Sequence, residues 1–401
     1  VSGLDLATAV TLDAAAVMQT YARKPVLFVR GEGMRLYDDT GKEYLDFVAG
    51  IGAVNLGHAH PAVAGAICEQ ASRLVHVSNL FYVEHRAELA ADLVRLLGGG
   101  MRVFFANSGA EANEGAFKLA RRWAREAKPG AFKVLTAKRS FHGRTLATLA
   151  ATGQPSKQEA FEPLPAGFAH VPLNDIDALD AALDDTVAGI MLEVVQGEGG
   201  VWLATPEYLS AAEKLCRERG ALFMLDEVQT GFFRTGPAFA HKALGLAPDV
   251  VTVAKAMANG LPIGGVVARE EVAAAFKPGD HGSTFGGGPL VCAAGRATIA
   301  ALEAEGLGDN SRMVGGYLVE GLQALAEKTG AITDVRGAGL MVGATLAAPV
   351  AAQVAAAALD AGLVLNSIGT DILRFLPPLV CGMSEIDTLL CNLADILEEV
   401  A

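Results

Sequence analysis

Between residues 101 and 268 the chain alternates short apolar runs with longer stretches of helical spacing. The runs Met101–Ala106, Phe132–Thr136, Val187–Val195, Ala221–Asp226, Val250–Ala254 and Gly264–Ala268 read as strands. Helix-length segments lie between or after them, including Glu111–Lys128, Pro206–Arg219 and Pro289–Glu305. That rhythm predicts an α/β domain built on a mostly parallel sheet. The two ends read differently. Residues 27–47, LFVRGEGMRLYDDTGKEYLDF, alternate apolar and polar positions around turn signals such as DDTGK and predict a small antiparallel ribbon. Beyond residue 305 further helix and strand patterns lead to an amphipathic helix over Ser384–Val400. This layout predicts a large domain over residues 61–300 and a smaller α+β domain built from residues 1–60 and 301–401. Neither an internal repeat nor a low-complexity linker interrupts it.

One stretch invites a different reading. Between Arg336 and Asp360 the sequence GAGLMVGATLAAPVAAQVAAAAL carries no charge. It is rich in Ala and Gly and divided by Pro349, so a strand over Leu340–Leu346 and a helix with Pro349 in its first turn fit better than a membrane span. A length of 401 residues suits two domains. With 51% apolar and 19% charged residues, the chain has material for its cores and a surplus to bury between subunits. The net charge of −13, without a long Lys/Arg run, argues against nucleic acid and anionic membranes as partners. Five scattered cysteines (Cys68, Cys216, Cys292, Cys381 and Cys391), with no CxxC pair, read as reduced core thiols. The first residues lack the basic run of a secretory leader, and the expected location is the cytoplasm.

Ligands of such sheets sit at the carboxyl ends of the strands, so the residues following each run carry the candidate chemistry. After Met101–Ala106 comes NSGAEANEGAFKLARRWAR. Ser108 and Glu111 have the spacing of a capping box. Equally, the Ser108 hydroxyl and the backbone N–H groups of Gly109 and Ala110 can cup a phosphate, and the two roles are compatible in part. In SFHGR, Phe141 is either core or a platform for a flat ring, and Arg144 either a surface charge or a carboxylate clamp. Glu198 rides on QGEGG, a simple turn or a close approach to a ligand. Asp226 follows five apolar residues, where a carboxylate needs a cation or donors unless it caps a helix. In DVVTVAKAMANGLPIGG the neighbours of Lys255 supply no carboxylate. Lysine commonly snorkels to the surface, but in an apolar pocket it loses basicity and becomes a nucleophilic amine able to form a Schiff base. Taken together, a phosphate cup, an aromatic platform, a carboxylate and a lysine are what a pyridoxal 5′-phosphate site requires. Asp226 would keep the pyridine nitrogen protonated so that the ring accepts electrons. No GxGxxG or GxxxxGK[ST] supports the rival reading as a nucleotide-binding α/β protein. No metal site is expected.

The segments NSGAEANEGAFKLAR, SFHGR, QGEGG, LDEVQTGFFRTG, AKAMANGLPIGG, HGSTFGG and LRFLPPL occur in this order, from about Tyr21 to the C-terminal helix counting the earlier VRGEGMRLYDDTGKEYLDFVAGIGAVNLGHAHP. The chain resembles the class III aminotransferases of fold type I. GAVNLGHAHP, SFHGRT and RFLPPL look like the acetylornithine branch. The resemblance implies a Schiff-base role for Lys255, Asp226 against the pyridine nitrogen, and Gln229 on the cofactor's 3-oxygen. It also implies a phosphate cup of Ser108, Gly109 and Ala110, a stacking ring at Phe141, and cofactor contacts from His142, Glu227 and Val228. Thr284, with Ser283 beside it at the substrate, would reach the neighbouring subunit's site, which implies a homodimer with shared active sites. Arg144 would bind the α-carboxylate of acetylornithine or the distal carboxylate of glutamate. Arg374 would take the α-carboxylate of glutamate or 2-oxoglutarate, and Glu198 would neutralise it for the other substrate. The implied reaction moves the terminal amine of N2-acetylornithine to 2-oxoglutarate. Succinylornithine, ornithine, 4-aminobutyrate and an N-blocked lysine-pathway intermediate remain rival donors. An aminomutase fits less well, because Arg374 implies an external dicarboxylate acceptor. Two positions depart from the family's pattern: Val194 stands where Pro is frequent and Gly288 where Asn is. Small effects on loop stiffness are expected.

Overall fold

The computed structural model describes residues 3–400. Seven strands form the central sheet, in the order Met101–Ala106, Gly264–Arg269, Val250–Val253, Leu222–Asp226, Val187–Leu192, Lys133–Ala137 and Phe168–Val171. All run parallel except Gly264–Arg269, which is antiparallel to both neighbours. Every residue of Val187–Leu192, Leu222–Asp226 and Val250–Val253 is buried, as unbroken apolar runs demand when a sheet is covered on both faces. The carboxyl ends of the parallel strands lie along one edge. Asn107–Ala110, the Ser140–Arg144 loop, Glu193, Asp226–Thr230 and Lys255 all leave from there.

The long run Val187–Val195 breaks into two. Its strand ends at Leu192, and Val195–Gln196 pairs instead with Trp202–Leu203. Pro349 also differs from expectation: Val350 is the N-cap and the helix runs Ala351–Asp360, so the proline precedes the first turn. Gly288 occupies the N-cap of the Pro289–Ala304 helix and offers no side chain to cap it.

The ribbon predicted at the start is present as Phe28–Glu32, Arg35–Asp38 and Glu43–Asp46. Leu363–Val364 adds to it in parallel, so the two ends of the chain share a sheet. A second antiparallel sheet orders Ile332–Ala338, Met341–Leu346, Ile372–Phe375 and Asn366–Ile368. One apolar cluster runs from Phe47 and Leu89 through Val251 to Leu318 and Leu389. All five cysteines are free. Cys216, Cys292 and Cys381 are buried, whereas Cys68 and Cys391 are exposed and so are not core thiols. Among the described residues no helix is long and apolar enough to cross a membrane.

Candidate active site

A cavity of about 380 Å³ opens at the carboxyl edge of the sheet. Ser108, Gly109, Ala110, Phe141, His142, Arg144, Glu198, Asp226, Val228, Gln229 and Lys255 line it, drawn from segments far apart in sequence. Four of the sequence-predicted residues, Glu227, Ser283, Thr284 and Arg374, do not line it.

The turn after Met101–Ala106 shows the cap. Ser108 is extended (φ −154°) and its Oγ accepts from Glu111 N at 3.2 Å. The Glu111 carboxylate reaches back one residue further than a capping box requires, accepting from Asn107 N at 2.6 Å. The Ser108 hydroxyl keeps its own proton to donate, and the Gly109 and Ala110 N–H groups open the 19-residue helix Gly109–Ala127 toward the cavity. Two close approaches require glycine. A Cβ on Gly264 would lie 2.4 Å from Ser108 O. One on Gly143 (φ +142°) would lie 2.6 Å from Thr148 Oγ1 and 2.8 Å from Ala110 Cβ, so the SFHGR loop can press on the cup only with glycine there.

Asp226 is 5% exposed and well supplied with donors. Its Oδ2 accepts from Asn113 Nδ2 at 2.8 Å and lies 2.8 Å from His142 Nδ1, and its Oδ1 accepts from Val228 N at 3.0 Å. That network holds one carboxylate in a fixed pose at the cavity wall. Lys255 adopts a left-handed backbone (φ 44°), a strained conformation for a side-chain-bearing residue, at the start of the turn Lys255–Ala258. Desolvation pushes its amine down to about 8. Arg374 acts in the same direction, while Glu198, Asp226 and Glu193 oppose it. The lysine without acidic neighbours in sequence thus has three acidic side chains around it in space.

Arg374 sits behind the wall. Its side chain is 1% exposed, and Nη1 donates to Glu198 Oε1 at 2.5 Å and to Gly197 O at 3.1 Å. Asn366 Oδ1 accepts from Nε at 3.0 Å and from Nη2 at 2.7 Å. Burial raises the Glu198 pKa, but the Arg374 and Lys255 charges and hydrogen bonds from Arg374 and Gln229 outweigh it and leave it lowered. Arg144 is exposed at the mouth, its guanidinium carbon 5.6 Å from the Phe141 ring centre, and among the described residues it has no ion-pair partner.

Glu227 faces away from the cavity and is fully buried. Oε1 accepts from His241 N at 2.9 Å and lies 2.8 Å from His241 Nδ1, while Oε2 accepts from Thr230 Oγ1 at 2.5 Å and from Ala240 N at 3.0 Å. Ser283 and Thr284 line a separate surface cleft with Glu111, Glu114 and His281. Ser283 Oγ is tied back to the cup, accepting from Asn107 Nδ2 at 3.2 Å. Sequence reasoning missed Asn113, Glu193 and Asn366. A polar residue on the apolar Ala112–Ala116–Phe117 face of its helix was the available signal for Asn113.

An anion cup of N–H groups and a hydroxyl, a donor-stabilised carboxylate, an aromatic ring and a low-pKa amine fit a phosphorylated pyridine aldehyde. Among the described residues no cluster suited to a metal ion occurs. The sequence matches the family Aminotransferase class-III over residues 17–397. It is 50% identical to an acetylornithine aminotransferase of Caldanaerobacter subterraneus subsp. tengcongensis, over 98% of this chain and 99% of that one. An acetylornithine aminotransferase structure from Elizabethkingia anophelis superposes with a TM-score of 0.88 at 32% identity, covering 99% of this chain and 100% of that one. An ornithine aminotransferase from Toxoplasma gondii, described with partial occupancy of PLP at its active site, superposes with a TM-score of 0.95 at 33% identity, covering 98% and 94%. With its family match spanning most of the chain and a lysine, a carboxylate and a helix N-terminus lining one cavity, this chain belongs to the class III aminotransferases: it is a pyridoxal-phosphate-dependent transaminase of fold type I.

Proposed function

We propose that the enzyme moves the terminal amine of N2-acetylornithine to 2-oxoglutarate, giving N-acetylglutamate 5-semialdehyde and glutamate, a step of arginine biosynthesis. The observation that carries this reading is the Glu198–Arg374 pair beside Lys255, with an unpaired Arg144 at the mouth. Arg144 offers a standing cation for the carboxylate that both substrates bring. Arg374 offers a second cation that Glu198 masks until a dicarboxylate arrives, so one site serves two differently charged partners. Resemblance to curated acetylornithine aminotransferases at 45–50% identity supports the choice of donor.

Ser108, Gly109 and Ala110 would hold the cofactor's phosphate, Phe141 and Val228 the ring faces, Asp226 the pyridine nitrogen, Gln229 the 3-oxygen and Lys255 the aldehyde carbon. When bound, the cofactor supplies the carbonyl that takes the amine and a ring that accepts the electron pair left by proton removal. Asp226, held in one pose by Asn113 and His142, would direct its carboxylate at that ring. Lys255 Nζ takes the proton from the carbon bearing the migrating amine, and a pKa near 8 suits an amine that must both accept and return it.

Leu80, Phe81, Tyr82 and Phe285 expose large apolar surfaces, and Asn79 Nδ2 joins the two segments by donating to Ser283 O at 2.7 Å. This apolar patch beside Thr284 supports a homodimer in which that loop meets the partner's cavity. Five free thiols support a cytoplasmic setting. A panel of amine donors with 2-oxoglutarate tests the substrate. Acetylornithine should show the highest kcat/KM, and a higher value for ornithine or 4-aminobutyrate would refute the assignment.

A further inference from the structure

Glu193 occupies the break between the strand Val187–Leu192 and the short pairing at Val195–Gln196, and its side chain enters the cavity. It is 7% exposed. Its Oε2 accepts from Phe141 N at 3.1 Å, and among the described residues it has no cation within ion-pair distance. The two other carboxylates near Lys255 are provided for differently. Asp226 has Asn113, Val228 and His142 as donors, and Glu198 has Arg374 and Gln229. A desolvated carboxylate held by a single backbone N–H is costly, and the inexpensive remedy is a proton.

We propose that Glu193 is kept as a neutral carboxylic acid, its carbonyl oxygen fixing the Phe141 backbone and its hydroxyl donating into the cavity toward an acceptor on the bound ligand. Burial first, and then the Asp226 charge, raise its pKa well above the ordinary carboxylate range. Glu198 adds to this, while the Phe141 N–H and Lys255 oppose it. Among the described residues, His142 and Arg144 are the other titratable or charged groups lining the same cavity. Two consequences follow for the site. Phe141 is held in place by a side chain from the end of the neighbouring strand, which makes Glu193 a positioning residue. Its neutrality also leaves Asp226 and Glu198 as the negative groups near Lys255, with Arg144 at the mouth and Arg374 behind Glu198, a field that favours a dicarboxylate acceptor.

The inference rests on the transaminase site described above but not on which amine donor it takes. Infrared spectra of the pyridoxal-phosphate-loaded enzyme at neutral pH, in H2O and D2O, test it without turnover. The wild type should show a protonated-carboxyl carbonyl band, shifted by deuterium, that is missing from Glu193→Gln. The visible circular dichroism of the bound cofactor, which reports its seating against Phe141, should change in Glu193→Ala and be restored by Glu193→Gln. Glu193→Ala should lose about tenfold or more in kcat/KM for 2-oxoglutarate, most of which Gln recovers. Identical carbonyl regions in wild type and Glu193→Gln would overturn the proposal, as would a Gln variant as impaired as Ala. Should the donor panel select another amine, the infrared result stands apart from that failure.

Discussion

We predict that Glu198→Gln separates the two half-reactions. The substitution keeps size and shape but removes the charge that covers Arg374. Breaking a buried ion pair typically costs about 3–5 kcal/mol. Here the guanidinium keeps Asn366 Oδ1 on Nε and Nη2 and Gly197 O on Nη1, and the Glu198 side chain is 27% exposed. Those retained partners reduce the loss to about 1–2 kcal/mol, a factor of roughly 5–30. The penalty falls on the donor, which brings no carboxylate to Arg374 and leaves the cation bare. It does not fall on 2-oxoglutarate, whose α-carboxylate must displace Glu198 to bind. Rapid-mixing measurements of each half-reaction should therefore show donor kcat/KM falling about 5- to 30-fold while acceptor kcat/KM holds or rises. Equal losses on both sides would refute the masking role. The pH behaviour has a definite sign: because the folded-state pKa of Glu198 is lowered, the pair persists at neutral pH and is lost only as acid reaches that lowered value.

Lys255→Ala should abolish turnover together with the absorbance of the lysine–cofactor bond; a variant retaining both would remove Lys255 from the chemistry. Because desolvation pushes this amine down to about 8, capture of added pyridoxal phosphate by the cofactor-stripped wild type should accelerate as pH rises through that value, and a flat profile would contradict it. Asp226→Asn keeps the shape of the side chain but leaves His142 and Asn113 without an anionic acceptor, so kcat should fall on the order of 10²–10³-fold, with a loss under tenfold counting against it. Gly264→Ala would set a Cβ 2.4 Å from Ser108 O, and overpacking of about 1–3 kcal/mol at the cup should weaken cofactor binding roughly 5- to 150-fold by titration of the stripped enzyme. Unchanged affinity would show that the cup does not hold the phosphate.

The parts of this molecule that were legible in its sequence are those whose signal is local. A run such as LFMLD is buried on both faces, so its apolar residues announce the strand, and the polar residue that ends it announces the site. Phe168–Val171 escaped notice because only Val171 is fully buried, and an edge strand of four residues leaves no clear period. Glu227 shows the opposite error. It is adjacent to Asp226 in the motif, but successive side chains at a strand end point to opposite sides, so one carboxylate faces the cavity and the other binds the N-terminus of the Ala240–Ala243 helix. Lys255 reads in sequence as remote from any carboxylate, and Glu193, Glu198 and Asp226 reach it only through pairing of distant strands.

That distance bears on how substrate choice is built. Lys255, Asp226 and the Ser108 cup all stand on the central sheet, whereas Arg374 comes from Ile372–Phe375 in a sheet formed near the end of the chain. The union depends on Arg234, fully buried and, among the described residues, with no carboxylate partner, whose guanidinium donates to Leu340 O at 2.9 Å, to Pro377 O at 2.5 Å and to Asn55 Oδ1 at 2.5 Å. Burial pushes its pKa down to about 9, which still leaves it a cation at neutral pH. One charged side chain, eight residues beyond Asp226, thus clamps the carbonyl just before Met341–Leu346 and the one just after Ile372–Phe375, two paired strands of which the second carries Arg374. The residues proposed for the chemistry that all amine donors share stand on the central sheet. On the proposed function, Arg374 would be the cation that separates one- from two-carboxylate substrates, and it comes from the C-terminal sheet, which Arg234 ties to the rest of the fold. A loosened clamp should therefore disturb 2-oxoglutarate recognition before it disturbs the reaction of Lys255.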